Sequence, residues 1–570
     1  MLTHVTDASP RHLERAAFVA LVAGLLAPVI AQGLWRPLVH VLGSHGNASA
    51  VTVAALATGG TIVVVQRLRA SRGLVLSLAL GGCVSVGASV GLHLGVAGLL
   101  TLLSVAAAVG FLVRWLPSRL PSALDGLAAR HKALTALYVV LALAAVVSTS
   151  RLSIFMGDKA RVDQQAVPGI AFLETHSCLT AYVHADALSR QRVDNLYDPQ
   201  WWHRSNNGVP LATAEAESPY SPFHLDYYVY PPQFLLAAAP LAPLEGDFAA
   251  QRALWFGLNG LLLAVGLWIV ARWLDGPRAH RALLLAPLFF GSLPVLATLQ
   301  VGNFQLAVVV ISVLAMVAFH RDRPVTGGAL LAFAILSKIS PGVLGVVLLA
   351  QRRWRCATWT AVCGGLLVAA SLVTAGVAPV RSFFTYALPH IISGEAFGFL
   401  ADTTFNRVTN MSLFGLPFKL QLLGLEVGDP WGVARRIGHG YTVLLIVLAV
   451  VAVRRRGDRR TQAMTWMSLL VLAALQSPFA PGYTTIGLLW AMTLLAEEVR
   501  TVRGGVALVL LTLALTVVPP IRTEHVLAVY SIVQSAITIG VPTWLIVRRA
   551  RQPASVAMKQ VAGESERVTM

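Results

Sequence analysis

The chain of 570 residues is 56% hydrophobic and only 12% charged, with a mean hydropathy of +0.69. Soluble globular domains carry about 25% charged residues, so a water-soluble multidomain enzyme is excluded, and four cysteines, three of them in apolar runs (Cys83, Cys356, Cys363), exclude a disulfide-stapled fold. The net charge of +18, from 44 Lys+Arg against 26 Asp+Glu, reads as the basic excess of cytoplasmic loops rather than as a nucleic-acid-binding surface.

A bilayer core about 30 Å thick needs about 20 apolar residues per helix. In chain order such stretches fall near 16–35, 48–66, 74–92, 95–113 and 133–149, then 251–271, 283–299, 303–320 and 357–377, and finally 439–454, 462–476, 483–497, 504–520 and 526–547. The expected fold is therefore an all-α polytopic membrane protein with about fourteen transmembrane helices. Residues 1–132 form an N-terminal four-helix extension, 133–550 the membrane core, and 551–570 a tail.

With the N-terminus in the cytoplasm, the clusters Arg67/Arg69/Arg72, Arg114/Arg119/Arg130/Lys132, Arg272/Arg278/Arg281, Arg352/Arg353/Arg355, Arg454/Arg455/Arg456 and Arg548/Arg549/Arg551 all fall on one side. Both termini are then cytoplasmic, and 150–232 and 378–438 are outer loops of a multi-pass protein of the cell (plasma) membrane. Two apolar stretches do not read as simple spans. Residues 233–244 are too short and suggest a re-entrant or interfacial helix. Residues 325–351 are interrupted by Lys338, Ser340, Pro341 and Gly342, as a hairpin of two half-helices would be.

The first outer loop differs in composition from the rest. Nine of the 26 acids lie between 151 and 230, with six of the eleven tyrosines and the pair Trp201/Trp202. Carboxylates activate hydroxyls and aromatic faces stack on sugars, so this composition suits a carbohydrate-handling surface, although a solvated loop with interfacial aromatics has the same composition. Within it, Thr180–Leu188 has an amphipathic helical pattern, followed by Asp194-Asn195-Leu196-Tyr197-Asp198. Tyr228-Val229-Tyr230-Pro231-Pro232 opens the short apolar helix. Gln300-Val301-Gly302-Asn303 ends a span, Lys338 and Pro341 sit in the broken hairpin, and Asn406, Asn410 and Ser412 precede another amphipathic stretch.

In this order the residues resemble the polyprenyl-phosphate-sugar-dependent glycosyltransferases of family 87, in the GT-C superfamily. That family shows an aspartate-bearing loop, then Gly-x-x-Tyr-Asp, Tyr-x-Tyr-Pro-Pro, Gly-Gln-x-Asn, a Lys-x-x-Pro break and Asn-x-Ser. The resemblance covers roughly 133–550. It implies a GT-C-like fold and transfer, with inversion, of a hexosyl group (mannosyl by default) from a polyprenyl-phosphate sugar to a hydroxyl of a cell-envelope glycan or glycolipid on the outer side. The bilayer and the two substrates are the implied partners, with no nucleic acid. Tyr182, Asp198, Tyr230, Gln300, Asn303, Lys338, Asn406 and Asn410 are the implied substrate-binding residues.

One departure stands out. The family's catalytic aspartate stands shortly before the Tyr-x-x-Ala helix, where this chain has Glu174-Thr175-His176-Ser177-Cys178. The general base is accordingly expected among Asp158, Glu174 and His176, with Asp163 or Asp186 behind them. Blander roles compete at each position. Lys338 must face a cavity rather than lipid, binding phosphate or pairing with a carboxylate. Gln300 and Asn303 suit linking helices. Asp194 and Asp198 offer oxygens to a divalent cation but also fit Asx turns, and no cofactor or protein-bound metal is required. A lipid or glycan transporter or flippase also has broken helices and a membrane-buried lysine, but the acidic, aromatic outer loop is large for one. A ligase that moves whole glycans and a catalytically dead scaffold complete the alternatives.

Overall fold

The computed structural model describes residues 10–42, 132–202, 219–454, 458–499, 501–517 and 523–551. The expected spans near 48–66, 74–92 and 95–113, and with them most of the N-terminal extension, lie outside the described residues, as does nearly all of the tail. Every regular element among the described residues is helical, with no strand. Five helices are long and apolar enough to cross a bilayer: Ala136–Gly157, Phe248–Leu274, Trp354–Ala375, Pro430–Val451 and Glu524–Arg551. A sixth follows if the bent pair Ala282–Phe290 and Leu293–Val301 is one span.

The count of about fourteen is thus replaced by five or six for the described residues. The difference has a physical origin. Gln305–His320, Gly482–Leu495 and Val502–Thr516 hold 14 to 16 residues each. At 1.5 Å per residue they reach only about 21–24 Å, short of a 30 Å core. An apolar run in sequence does not report where capping and glycines end the helix.

The chain divides into two compact units, Met1–Leu179 with Leu241–Asn303, and Thr180–Pro240 with Phe304–Met570. In the first, Pro10–Leu42 and Phe248–Leu274 cross at a pair of glycines. A Cβ on Gly257 would lie 2.8 Å from the Gly33 Cα, so only hydrogen allows the backbones to come this close. Phe248–Leu274 starts at Asp247, whose Oδ1 accepts from the Ala250 N–H at 2.9 Å. The bend of 54° falls at Gly291–Ser292. Gly291 is pressed against Ala145, and the Ser292 hydroxyl donates to the Phe289 carbonyl at 2.6 Å, satisfying an acceptor near the break. The second half-helix ends at Gly302, left-handed at φ 70°, whose carbonyl accepts from the Trp255 indole at 2.8 Å.

In the second unit the expected broken hairpin is present. Pro324–Ser337 and Gly342–Ala350 are separate helices, and Lys338 between them is extended (φ −156°, ψ 116°). Gly328 packs on the Trp359 backbone, where a Cβ would lie 2.7 Å from its carbonyl carbon, and the Arg353 guanidinium donates to the Phe319 carbonyl at 2.6 Å. Gln305–His320 is buried over almost its whole surface, and so are residues 463–474 of Arg459–Ala474. Trp354–Ala375 is not: only 11% of its apolar window is buried, as expected of a helix facing lipid. The 233–244 stretch is a short apolar helical segment, Pro232–Leu244, too short to span.

The glycine crossing gives a test with opposite signs at two sites. Gly257→Ala forces Cβ into the Gly33 backbone and should destabilise by about 1–3 kcal/mol. Gly345→Ala has open space around it and should stabilise its helix by up to about 1 kcal/mol. Thermal unfolding in detergent of the two variants beside the parent protein checks both.

Candidate functional site

In the first unit the site residues lie on the stretch from Asp158 to Cys178. Asp158 follows the helix Lys132–Gly157 directly, is exposed, and accepts the Ala160 N–H at 3.0 Å in a local turn. Asp163 is fully exposed and is held below the ordinary carboxylate range, first by the Gln164 amide and then by Arg161. Glu174 sits on the five-residue helix Ala171–Thr175 and is half-buried. Its Oε1 accepts from the buried Gln165 amide at 3.0 Å, and its second oxygen accepts no hydrogen bond among the described residues. The His176 ring stacks on Phe172 with centroids 4.3 Å apart, and its Nε2 lies 3.4 Å from the Cys178 Sγ.

This stretch is fastened by Gln300. The Gln300 side chain is buried, accepts from the Ala166 N–H at 2.7 Å, and donates to the Leu173 carbonyl at 2.7 Å and to Gln165 Oε1 at 3.3 Å. Asn303, also buried, donates to the Cys178 Sγ at 3.3 Å, and the Cys178 N–H donates to the Val301 carbonyl at 2.8 Å. Gln300 and Asn303 thus hold the loop that carries Glu174 and His176. This is the linking role. Gln165, which orients Glu174, is the residue that sequence reasoning missed. A glutamine between two turns carries no signal of its long-range partner.

In the second unit Leu179–Arg190, the expected amphipathic helix, carries Tyr182 into a packed group of rings. The Tyr182 hydroxyl accepts from the Phe304 N–H at 3.3 Å and donates to the Tyr230 hydroxyl at 3.0 Å. Tyr182, Tyr230 and Phe234 stand 4.7–5.1 Å apart by centroid, and Phe304 packs 4.9 Å from Phe234. Beside them the Tyr197 hydroxyl donates to the Tyr230 carbonyl at 2.8 Å, and the Tyr227 hydroxyl to the Tyr197 carbonyl at 2.7 Å. Burial pushes the Tyr197 and Tyr228 phenols far above their ordinary range. They therefore remain neutral hydrogen-bonding groups and cannot serve as bases near neutral pH.

Lys338 reaches this group from the helix break: its Nζ lies 5.9 Å from the Tyr230 ring centroid, within cation–π range. Asp198 is half-buried, and its Oδ1 accepts the Gln200 N–H at 3.0 Å, while Asn195 Oδ1 accepts the Tyr197 N–H at 3.0 Å. Both are Asx turns. Asp186 is buried and pairs with Arg190 at 3.1 Å, a contact legible in the i,i+4 spacing. His184 Nε2–H donates to the Trp201 carbonyl at 3.1 Å, which leaves Nδ1 to accept from the Tyr220 hydroxyl at 3.4 Å. The second outer segment adds Phe383, 5.9 Å from Tyr197, and Tyr386, whose phenol interacts with that of Tyr227. Desolvation raises the Tyr386 phenol, and the charge of Asp198 adds to that effect. The sequence reading missed Tyr386, nearly 190 positions away from Asp198.

Asn410 is wholly buried and fully engaged. Its Oδ1 accepts the Ser412 and Ala480 N–H groups, both at 3.0 Å, and its amide donates to the Pro478 carbonyl at 2.8 Å. Ser412 adds a bond to the Leu475 carbonyl at 2.8 Å. The Asn-x-Ser sequence is therefore a clamp between two stretches of chain. Asn406 is half-exposed and donates to the Phe399 carbonyl at 3.0 Å.

The motifs in the second half of this inventory coincide with a family match. Residues 228–478 match glycosyltransferase family 87. The match begins at the Tyr-x-Tyr-Pro-Pro sequence and ends at Pro478, the residue Asn410 holds. That family is one of glycosyltransferases, and the match covers under half of the chain. No curated protein and no solved structure matches the chain.

The clamp yields a stability test. Asn410→Ala strands two buried N–H groups and a carbonyl and should cost about 3 kcal/mol or more, whereas Asn406→Ala should cost about 1 kcal/mol. Denaturation midpoints of the two variants decide this.

Proposed function

We propose that this glycosyltransferase takes a hexosyl group, mannosyl by default, from a polyprenyl-phosphate sugar and passes it with inversion to a hydroxyl of a cell-envelope glycan or glycolipid. The observation that carries the reading is Lys338, a cation at a helix break, lying against a wall of aromatic rings and hydrogen-bonded phenols. An anionic lipid phosphate and a sugar ring are the chemistry that such a pair of features suits. The family match supports the transfer of a sugar over a transporter.

In this mechanism the acceptor oxygen attacks the anomeric carbon as its proton passes to a carboxylate. The bond from that carbon to the phosphate oxygen breaks, and the charge developing on the leaving phosphate is met by Lys338. Glu174 is the proposed base, with Asp158 and His176 behind it. One Glu174 oxygen is oriented by Gln165 while the other is available, whereas Asp158 stands exposed on a local turn. Tyr182, Tyr230 and Asp198 would contact sugar or lipid headgroup. The mechanism needs no protein-bound metal. The reaction belongs on the outer side of the plasma membrane in a GT-C-like helical bundle with cytoplasmic termini, a sidedness supported by the alternation of the arginine clusters.

Purified protein incubated with a panel of polyprenyl-phosphate sugars and envelope glycolipids should release polyprenyl phosphate with one donor, mannosyl first. Lipid movement with no release under any donor would favour the flippase reading. On the active pair, Glu174→Gln should lower turnover by about 10²–10⁴-fold with donor binding retained. Full activity in Glu174→Gln, with loss in Asp158→Asn or His176→Ala, would move the base to that residue.

A further inference from the structure

Directly beyond the lipid-facing span Trp354–Ala375 the chain turns at Gly376, with φ 81°, and re-enters helix. Ala378–Ser382, a π-helical turn Phe383–Ala387 and Leu388–Ser393 follow without interruption. At about 1.5 Å per residue this is a rod roughly 24 Å long, and its two faces differ in what they meet.

One face is inside. Pro379, Ser382, Phe383 and Ala387 are buried, Phe383 packs on Tyr197, and the Tyr386 phenol interacts with that of Tyr227. His390 locks the rod by donating from Nδ1 to the Tyr386 carbonyl at 2.7 Å and stacking on its ring. The other face carries Val377, Phe384 and Ile392, exposed to 66%, 62% and 65%. Between them on the same stripe stands the exposed Arg381. The preceding span exposes Leu366 at 65% and Val373 at 86%, so the apolar surface of the rod continues that of a membrane helix across the turn at Gly376–Val377.

We propose that this face lies in the bilayer interface of the leaflet where Trp354–Ala375 ends, with phospholipid as its partner. Val377, Phe384 and Ile392 enter the acyl region, and Arg381 meets the headgroup phosphates. Three arguments select lipid. The face is continuous with a lipid-facing span, its residues follow helical spacing around one cation, and an amphipathic helix with a basic residue at its boundary partitions to this depth. Lipid thereby fixes the rod from outside, while its inner face holds Phe383 and Tyr386 against the aromatic group. The inference goes beyond the transferase reading and stands independently of it.

The test uses the full chain in phosphatidylcholine–phosphatidylglycerol liposomes. Nitroxide labels are placed singly at Val377, Phe384, Ile392 and Glu395 in a variant with its four cysteines replaced. Collision rates with oxygen, which concentrates in acyl chains, and with a water-soluble nickel chelate give the depth of each. The expected result is oxygen-dominated collision at 377, 384 and 392 and nickel-dominated collision at 395, an inversion within one turn of the rod's end. Nickel-dominated collision at all four would overturn the proposal by making the face aqueous. Shielding of 377, 384 and 392 from both agents would also overturn it by showing a protein occupant, either a second copy or another part of this chain. Should the cysteine-free chain fail to fold, Phe384→Trp in the otherwise native chain serves instead. Lipids brominated near the headgroup should quench its added fluorescence, and the absence of quenching contradicts the proposal.

Discussion

Hydrocarbon offers no hydrogen bonds, and this structure is organised by what that costs. Every break in a helix frees backbone groups, and every charge needs a partner or a cavity. At Gly291–Ser292 the hydroxyl of Ser292 serves a carbonyl, and at Gly302 the Trp255 indole serves another. At Lys338 the break brings a cation rather than a hydroxyl, and that cation is directed at the Tyr230 ring. The first two breaks are closed by the protein's own groups. The third places a positive charge among aromatic side chains.

The two units show two ways of keeping polar groups precise. In the first, Gln300 spends its whole amide on Ala166, Leu173 and Gln165, and Gln165 in turn orients Glu174. A carboxylate on a five-residue helix has little rigidity of its own, so its orientation depends on this relay. In the second, phenols hold one another in sequence, from the Phe304 N–H through Tyr182 to Tyr230. Rings with few rotatable bonds lose little entropy on ordering, which suits a group that must keep its shape.

Much of this was legible in the sequence where one residue suffices to announce a role. Lys338 with Pro341 in an apolar run predicted a broken hairpin, because neither fits a lipid-facing helix, and the helices do part there. Thr180–Leu188 showed its amphipathic period, and Asp198 showed its turn, whereas the turn expected at Asp194 is made by Asn195. The number of crossings was not legible, because hydropathy registers apolar length and not helix length. Asn410, implied as a substrate contact, also makes a three-bond clamp that was not legible, since an asparagine's partners across 70 residues are set by the fold alone. Gln165 and Tyr386 were invisible for the same reason.

The claim on which the account rests is that Lys338 stabilises the phosphate of a lipid-linked donor as it leaves. The direct measurement is the steady-state turnover of Lys338→Met and Lys338→Arg with the donor that supports transfer. Removing one preorganised stabiliser of transition-state charge typically costs about 10²–10³ in kcat. Lys338→Met should lose activity on that scale, with most of the loss in kcat, and Lys338→Arg should recover part of it. Turnover of Lys338→Met near that of the parent protein would contradict the account and assign the lysine to structure.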